Sequence, residues 1–162
     1  MLGGYHITAL PMQTMKNSKV DYGFYGEAEA TVVELVNYLA ETGKKPDPEK
    51  LKTIRGLLFR HNGKIWANEK RPLIKDLDRI PLPARDLLRN EKYIWSVPNK
   101  GLVPVTAITT QRGCPFQCIF CGAQTMFPGM RYHSIDRIIA ELQYITNTLD
   151  RFLCCKRMTD DN

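Results

Sequence analysis

Apolar residues recur at helical spacing in two segments of the chain. In residues 27–43 the apolar residues at i, i+3, i+4 and i+7 are Val32, Leu35, Val36 and Leu39. This spacing predicts a helix with one buried face. Glu27 and Glu29 fall in its predicted first turn, where the helix dipole favours acids, and Gly43 is a natural stop.

The second predicted helix covers residues 134–149. Ser134 suits the N-cap, because its hydroxyl can accept a free N–H of the first turn. The predicted apolar face comprises Ile135, Ile138, Ile139, Leu142 and Leu149.

Other segments follow strand or turn patterns. Residues 3–11 resemble the end of a buried strand that runs into a loop, and residues 20–26 a short strand. Asn62-Gly63 between two apolar runs predicts a hairpin over 54–68. Residues 101–113 predict a strand that is apolar on both faces, as in a buried parallel sheet. The polar stretch after Gly43 predicts a plain connection, and the proline-rich residues after 68 predict a linker over the surface.

These elements predict an α/β fold in four intervals. Residues 1–45 form a partial α/β domain, and residues 46–100 form a hairpin and a connector. Residues 101–150 form a strand, a loop and a helix, and residues 151–162 form an atypical tail.

Composition narrows the function classes. The chain has 162 residues, of which 43% are hydrophobic and 25% charged, as in globular proteins. The net charge of +6 is spread along the chain without interleaved aromatics, which argues against a nucleic-acid partner. The apolar runs are too short for a membrane span, and no secretory signal opens the sequence. We therefore expect a cytoplasmic protein.

Three of the five cysteines lie close together, at Cys114, Cys118 and Cys121. Gly113, Pro115 and Gly122 indicate a wrapped loop rather than a helix face. Thiolates are soft ligands that suit zinc or an iron–sulfur cluster. A structural zinc site needs a fourth ligand, for which His133 is the nearest candidate, whereas three cysteines on a four-iron cluster leave one iron open.

The segment "RGCPFQCIFCG" resembles the cysteine motif of radical SAM enzymes, with the aromatic Phe120 beside the last cysteine. It also stands between a predicted strand and a predicted helix, as in that family. The resemblance implies that the three cysteines ligate a [4Fe–4S] cluster whose fourth iron binds S-adenosylmethionine. Phe120 would pack near the adenine. The implied reaction is reductive cleavage of S-adenosylmethionine to a 5′-deoxyadenosyl radical.

The upstream half is similar to the end of the cobalamin-binding domain in the B12-dependent group of that family. "GGYHITALP", "GEAEAT" and the connector carry this likeness. It implies that Gly3 and Gly4 approach the cobalamin, since glycine lets backbone come close to a ligand. The D-x-H-x-x-G element of some members is absent.

The implied fold class is therefore the C-terminal part of a Rossmann-like cobalamin-binding domain, followed by the first β-loop-α unit of a partial (β/α) radical SAM barrel. Only 41 residues follow Cys121, whereas a full barrel takes about 250. We expect a fragment. Cys154 and Cys155 match no position of the family, and we expect them in an atypical tail rather than in a second metal site.

Two functions remain open at this point. The first is a radical SAM enzyme that carries out B12-dependent methyl transfer or carbon-skeleton modification. Its partners would be a small-molecule substrate and an electron donor such as a flavodoxin or ferredoxin. The alternative is a non-catalytic iron–sulfur or zinc module for binding or electron transfer. The RNA-modifying methylthiotransferase branch ranks low, because no cysteine precedes Cys114.

Overall fold

A computed structural model describes residues 1–43, 46–98, 101–149 and 152–155. They form two compact units. The first contains Met1–Ile74 and Gly113–Gly129, and the second contains Lys75–Arg112 and the described residues from Met130 onward. We call Gly113–Gly129 the cysteine loop. The division into residues 1–45, 46–100, 101–150 and 151–162 that the sequence suggests remains a prediction.

A three-stranded antiparallel sheet forms the centre of the first unit. Its strands are β1 (Tyr22–Phe24), β2 (Leu57–His61) and β3 (Lys64–Ala67), in the order β1-β2-β3. The short strand and the hairpin predicted from the sequence are both confirmed. Asn62 and Gly63 have φ values of 48° and 74°, as a primed two-residue turn requires.

Four helices accompany this sheet: α1 (Tyr5–Ala9), α2 (Pro11–Asn17), α3 (Glu29–Thr42) and α4 (Pro48–Thr53). Two apolar clusters form the core. The larger contains Phe24, Leu35, Leu51, Ile54, Leu57 and Phe59. The smaller contains Ile7, Met15, Tyr25 and Leu58. The core thus lies between the sheet and its helices.

The predicted helix α3 is confirmed, with two corrections. Leu35 is fully buried, but Val36 is 45% exposed, because the buried face is narrower than the apolar spacing suggests. Glu27 lies before the N-cap Ala28 rather than in the first turn. Its buried carboxylate instead accepts the Ile74 N–H at 2.7 Å. Gly43 ends the helix as predicted, with φ 69°.

The prediction for residues 3–11 was wrong in its main part. Leu2 does bridge to Gly23, but the chain then turns into α1 and α2 instead of a loop. The Thr8 hydroxyl supports the first of these helices by bonding back to the Gly4 carbonyl at 2.8 Å. Pro11 opens α2, a position where its missing N–H costs nothing.

The predicted polar connection also contains a helix, α4. Asp47 accepts the Glu49 N–H at 2.9 Å, and Pro48 occupies the first turn. An N-cap followed by proline is a standard helix start. Leu51 then anchors the helix in the larger apolar cluster.

The second unit contains the strands β4 (Ile94–Val97), β5 (Gly101–Ile108) and β8 (Phe152–Cys155) in the order β4-β5-β8. A two-stranded ribbon joins β6 (Gln111–Arg112) to β7 (Arg131–Tyr132). The predicted strand β5 is confirmed, but not its burial in a parallel sheet. It pairs antiparallel with β4 and parallel with β8, and Ile108 is its buried residue.

Helix α6 (Ile135–Leu149) connects β5 to β8, so the three form a β-α-β arrangement. Ser134 is its N-cap as predicted, since its Oγ accepts the Arg137 N–H at 3.1 Å. The predicted apolar face was wrong in part: Ile135 is 75% and Ile139 46% exposed, while Glu141 and Ile145 are buried. The side chain of Leu149 lies outside the described residues.

The connector before β4 consists of three 3-10 turns, Leu77–Arg79, Arg85–Leu87 and Asn90–Lys92. It is not merely a surface linker, because Leu77, Arg85 and Asn90 are buried. The Arg85 guanidinium binds Glu141 of α6 at 2.5 Å and the Ala107 carbonyl of β5 at 2.8 Å. Across the described ranges, no helix is both long and apolar enough to cross a membrane.

Candidate cofactor site

The cysteine loop closes at a narrow neck formed by two glycines. Gly113 is buried and has φ 95°, a conformation that L residues rarely adopt. A Cβ on Gly113 would lie 1.5 Å from the carbonyl oxygen of Gly129. Only glycine therefore allows the two ends of the loop to approach so closely. The residues on either side of the loop pair as the β6–β7 ribbon.

Hydrogen bonds to the backbone shape the interior of the loop. The side-chain amide of Gln124 donates through Nε2 to the carbonyls of Cys114 and Phe116 at 2.6 and 2.9 Å. The Cys121 N–H donates to the Cys118 carbonyl at 3.0 Å. The Ala123 N–H points to the Cys121 sulfur at 3.4 Å. An N–H directed at sulfur stabilises a thiolate, which is the form that binds metal.

The three thiols remain accessible. Cys118 and Cys121 are exposed, and Cys114 is half-buried. The donor set fits a cluster that is held by three cysteines. In the described part of the chain, no three His, Cys, Asp or Glu side chains are arranged to hold a metal ion. The three sulfurs are therefore not gathered around one centre.

His133, the possible fourth ligand of a zinc site, has another partner. Its Nδ1 lies 3.0 Å from Asp78 Oδ1. The same carboxylate accepts the Ser134 N–H at 3.0 Å. The hydroxyl and N–H of Ser134 lower the pKa of Asp78, His133 adds to this effect, and burial opposes it. The histidine thus belongs to the cap of α6 in the second unit.

Large apolar side chains lie beside the thiols at the tip of the loop. Phe116 is 64% exposed, Phe120 is 89% exposed and Ile119 is entirely exposed. At this exposure, Phe120 packs on neither apolar cluster of the described residues. Its ring is therefore available to a ligand beside Cys121.

Gly3 and Gly4 lie at the surface directly before α1. Gly4 has φ 101°, and a Cβ at this position would meet nothing within 4 Å. At Gly3 the nearest atoms to a Cβ belong to Phe24, at 3.9 Å. The backbone of both glycines is therefore open on the side where a Cβ would stand.

The structure places α1 against the cysteine loop, which the sequence did not indicate. The loop contains a short helix, α5 (Ala123–Met126), that contacts α1. The rings of Tyr5 and Phe127 meet edge to face, with centroids 5.9 Å apart. Burial, and secondarily the charge of Cys121, raises the pKa of Tyr5. The Gly3-Gly4 segment and the three cysteines therefore belong to one compact unit.

No family model matches the chain. An uncharacterized methyltransferase of Pyrococcus horikoshii is 38% identical over 148 residues, which are 90% of this chain and 30% of that protein. The anaerobic magnesium-protoporphyrin IX monomethyl ester cyclase of Rubrivivax gelatinosus is 30% identical over 153 residues, 93% of this chain and 26% of that enzyme. The chain thus spans less than a third of the length of these relatives.

Solved structures of one enzyme share the fold. The radical S-adenosylmethionine methyltransferase TsrM from Kitasatospora setae, solved with tryptophan and a SAM analog, matches 96% of this chain with a TM-score of 0.64 at 15% identity. The match covers 29% of TsrM. A second TsrM structure, with cobalamin and a [4Fe-4S] cluster bound, matches with a TM-score of 0.59 at 14% identity.

The predicted fold class is confirmed by these structures. The relatives in sequence are named as a methyltransferase and a cyclase, so the chain resembles enzymes. The chain is therefore similar in sequence to proteins named as a methyltransferase and a cyclase, and similar in fold to TsrM.

Proposed function

We propose that this chain carries the cluster-binding loop of a radical SAM enzyme of the B12-dependent group. The observation that carries the proposal is the C-x3-C-x2-C motif on a glycine-necked loop, between strand β5 and helix α6. The proposal is supported by relatives that are named as a methyltransferase and a cyclase, and by the fold that the chain shares with TsrM. Radical SAM chemistry therefore explains the loop better than a non-catalytic module.

Cys114, Cys118 and Cys121 would hold three irons of a [4Fe–4S] cluster. The Ala123 N–H at the Cys121 sulfur would stabilise that thiolate. Phe120, exposed beside Cys121, would cover the adenine of S-adenosylmethionine. When bound, such a cluster supplies the electron that cleaves S-adenosylmethionine and starts radical chemistry on a substrate.

Gly3 and Gly4 would receive cobalamin. Their exposed backbone leaves room for a ligand, and TsrM was solved with cobalamin bound. Because α1 contacts α5, a cofactor at these glycines would lie on the same unit as the cluster. This arrangement suits methyl transfer or carbon-skeleton modification of a small molecule. An electron donor such as a flavodoxin or ferredoxin would reduce the cluster in the cytoplasm.

Anaerobic reconstitution with iron and sulfide tests the metal assignment. We expect about four irons per chain and the broad visible absorption of a four-iron cluster. Replacement of Cys114, Cys118 or Cys121 by alanine should abolish or strongly reduce iron binding, because each provides one thiolate.

A matched control uses the two cysteines outside the motif. The double variant Cys154→Ala/Cys155→Ala should retain the iron content of the wild-type chain. Zinc in place of iron, or equal iron in all cysteine variants, would overturn the cluster assignment.

A further inference from the structure

The Thr8 hydroxyl meets three segments of the first unit. Thr8 is 3% exposed, so its hydroxyl has little access to water. Its Oγ1 donates to the Gly4 carbonyl at 2.8 Å and accepts the Gly26 N–H at 3.0 Å. The sulfur of Met126, at the end of α5, lies 3.5 Å from the same oxygen. One side chain thus links the glycine pair, the turn before α3 and the cysteine loop.

Tyr5 provides a second contact on the same helix. Residues three apart lie on one face of a helix, so Tyr5 and Thr8 point toward the same neighbour. The ring of Tyr5 meets Phe127 edge to face at 89°. Phe127 directly follows Met126, so both contacts reach the same end of α5. The face of α1 that begins just after Gly4 therefore holds the cysteine loop.

We propose that Thr8 is a positioning residue that fixes the cysteine loop relative to the Gly3-Gly4 backbone. The inference rests on the proposed function, in which the loop holds a cluster and the glycines receive cobalamin. Thr8 would then set the separation of the two cofactors. A hydroxyl suits this role, because it donates one hydrogen bond and accepts another at the same atom. Valine has the same shape but can do neither.

The first test needs no cofactor. Hydrogen exchange in the ligand-free chain should be about fivefold faster at Gly26 and across residues 113–129 in Thr8→Val than in wild type, because valine lacks the hydroxyl that bonds Gly4 and Gly26 and contacts the Met126 sulfur. Thr8→Ser retains the hydroxyl and should restore slow exchange. Thr14→Val is the matched control, since the buried Thr14 hydroxyl also donates to its i−4 carbonyl, that of Leu10, at 2.7 Å.

The second test uses the chain reconstituted with a cluster and cobalamin. In Thr8→Val, but not in Thr14→Val or Thr8→Ser, the electron paramagnetic resonance signal of the reduced cluster should broaden, and cobalamin should bind about fivefold more weakly. Equal exchange and equal spectra in Thr8→Val and Thr14→Val would overturn the role of Thr8. Faster exchange in a chain that binds no cluster would uphold the coupling and overturn the proposed function instead.

Discussion

The core of the first unit and the tip of the cysteine loop differ in what holds them. In the core, Leu35, Leu57 and Phe59 are fully buried against one another. At the tip, Ile119 and Phe120 are almost entirely exposed. Away from α5, the loop keeps its shape through the Gly113 neck and the Gln124 side-chain amide rather than through apolar packing. The buried core and the exposed tip that carries the cysteines are thus held by different kinds of contact.

The largest effect should come from the core. Leu35→Ala removes a buried side chain from the larger apolar cluster and leaves a cavity, so the free energy of unfolding should fall by about 3 to 4 kcal/mol. Urea unfolding followed by circular dichroism measures the change. Val36→Ala, one residue along the same helix but 45% exposed, should cost less than about 1 kcal/mol. Equal losses at the two positions would contradict the described burial.

The second unit extends the comparison to a buried polar contact. Glu141→Gln leaves the guanidinium of Arg85, which is 3% exposed, without its carboxylate partner. We expect a loss of about 3 kcal/mol in the free energy of unfolding. Glu49→Gln breaks the solvent-exposed pair with Lys52 and should cost less than about 1 kcal/mol. Urea unfolding of both variants checks the difference.

A substitution at Gly113 should open the neck of the loop without unfolding the core. Gly113→Ala forces a strained φ and places a Cβ against the Gly129 carbonyl, which should destabilise the closed loop by about 2 kcal/mol. Hydrogen exchange should accelerate across 113–129, while the strands β1 to β3 stay protected. Gly129→Ala is also strained, because Gly129 has φ 69°, but its Cβ would meet nothing within 4 Å, so its effect should be smaller. If Gly113→Ala instead unfolded the whole chain, the loop would have to be part of the folded core, which would contradict this prediction.

The smallest expected effect is on the pH dependence of stability in acid, through Asp78. The pKa of Asp78 is lowered in the folded chain, chiefly by hydrogen bonds from Ser134. Its contribution to stability is therefore present above its ordinary pKa of 3.8 and is lost as the pH falls through the lower folded value. Asp78→Ala should flatten the dependence of stability on pH below about 4. Urea unfolding of wild type and Asp78→Ala between about pH 3 and pH 6 measures the slope, and equal slopes would contradict the described contacts of Asp78.

The sequence predicts those parts of the fold that local residue preferences determine. The Asn62-Gly63 turn specifies its hairpin, and the spacing around Leu35 specifies α3. Helix α1 was missed because it spans five residues with β-branched Ile7 and Thr8 at its centre. Its support comes from the Thr8 bond to Gly4 and from contact with α5, which lies more than 110 residues away in the sequence.

Spacing and resemblance predict the residue types of the candidate site, the three cysteines and the glycine pair, but not which segments contact them. The Tyr5–Phe127 and Thr8–Met126 contacts carry no local pattern, because tertiary packing alone brings those residues together. Buried Glu141 was also missed, because on a periodic apolar face it resembles a solvated charge until Arg85 is placed beside it.

The most direct test of the central claim is the electron paramagnetic resonance spectrum of the reconstituted, reduced full chain with and without S-adenosylmethionine. A [4Fe–4S] cluster held by Cys114, Cys118 and Cys121 leaves one iron open to the cofactor. We expect the signal to change shape when S-adenosylmethionine is added and to stay unchanged with methionine alone. A four-iron signal that ignores S-adenosylmethionine would contradict the radical SAM assignment and favour a module that only binds a cluster.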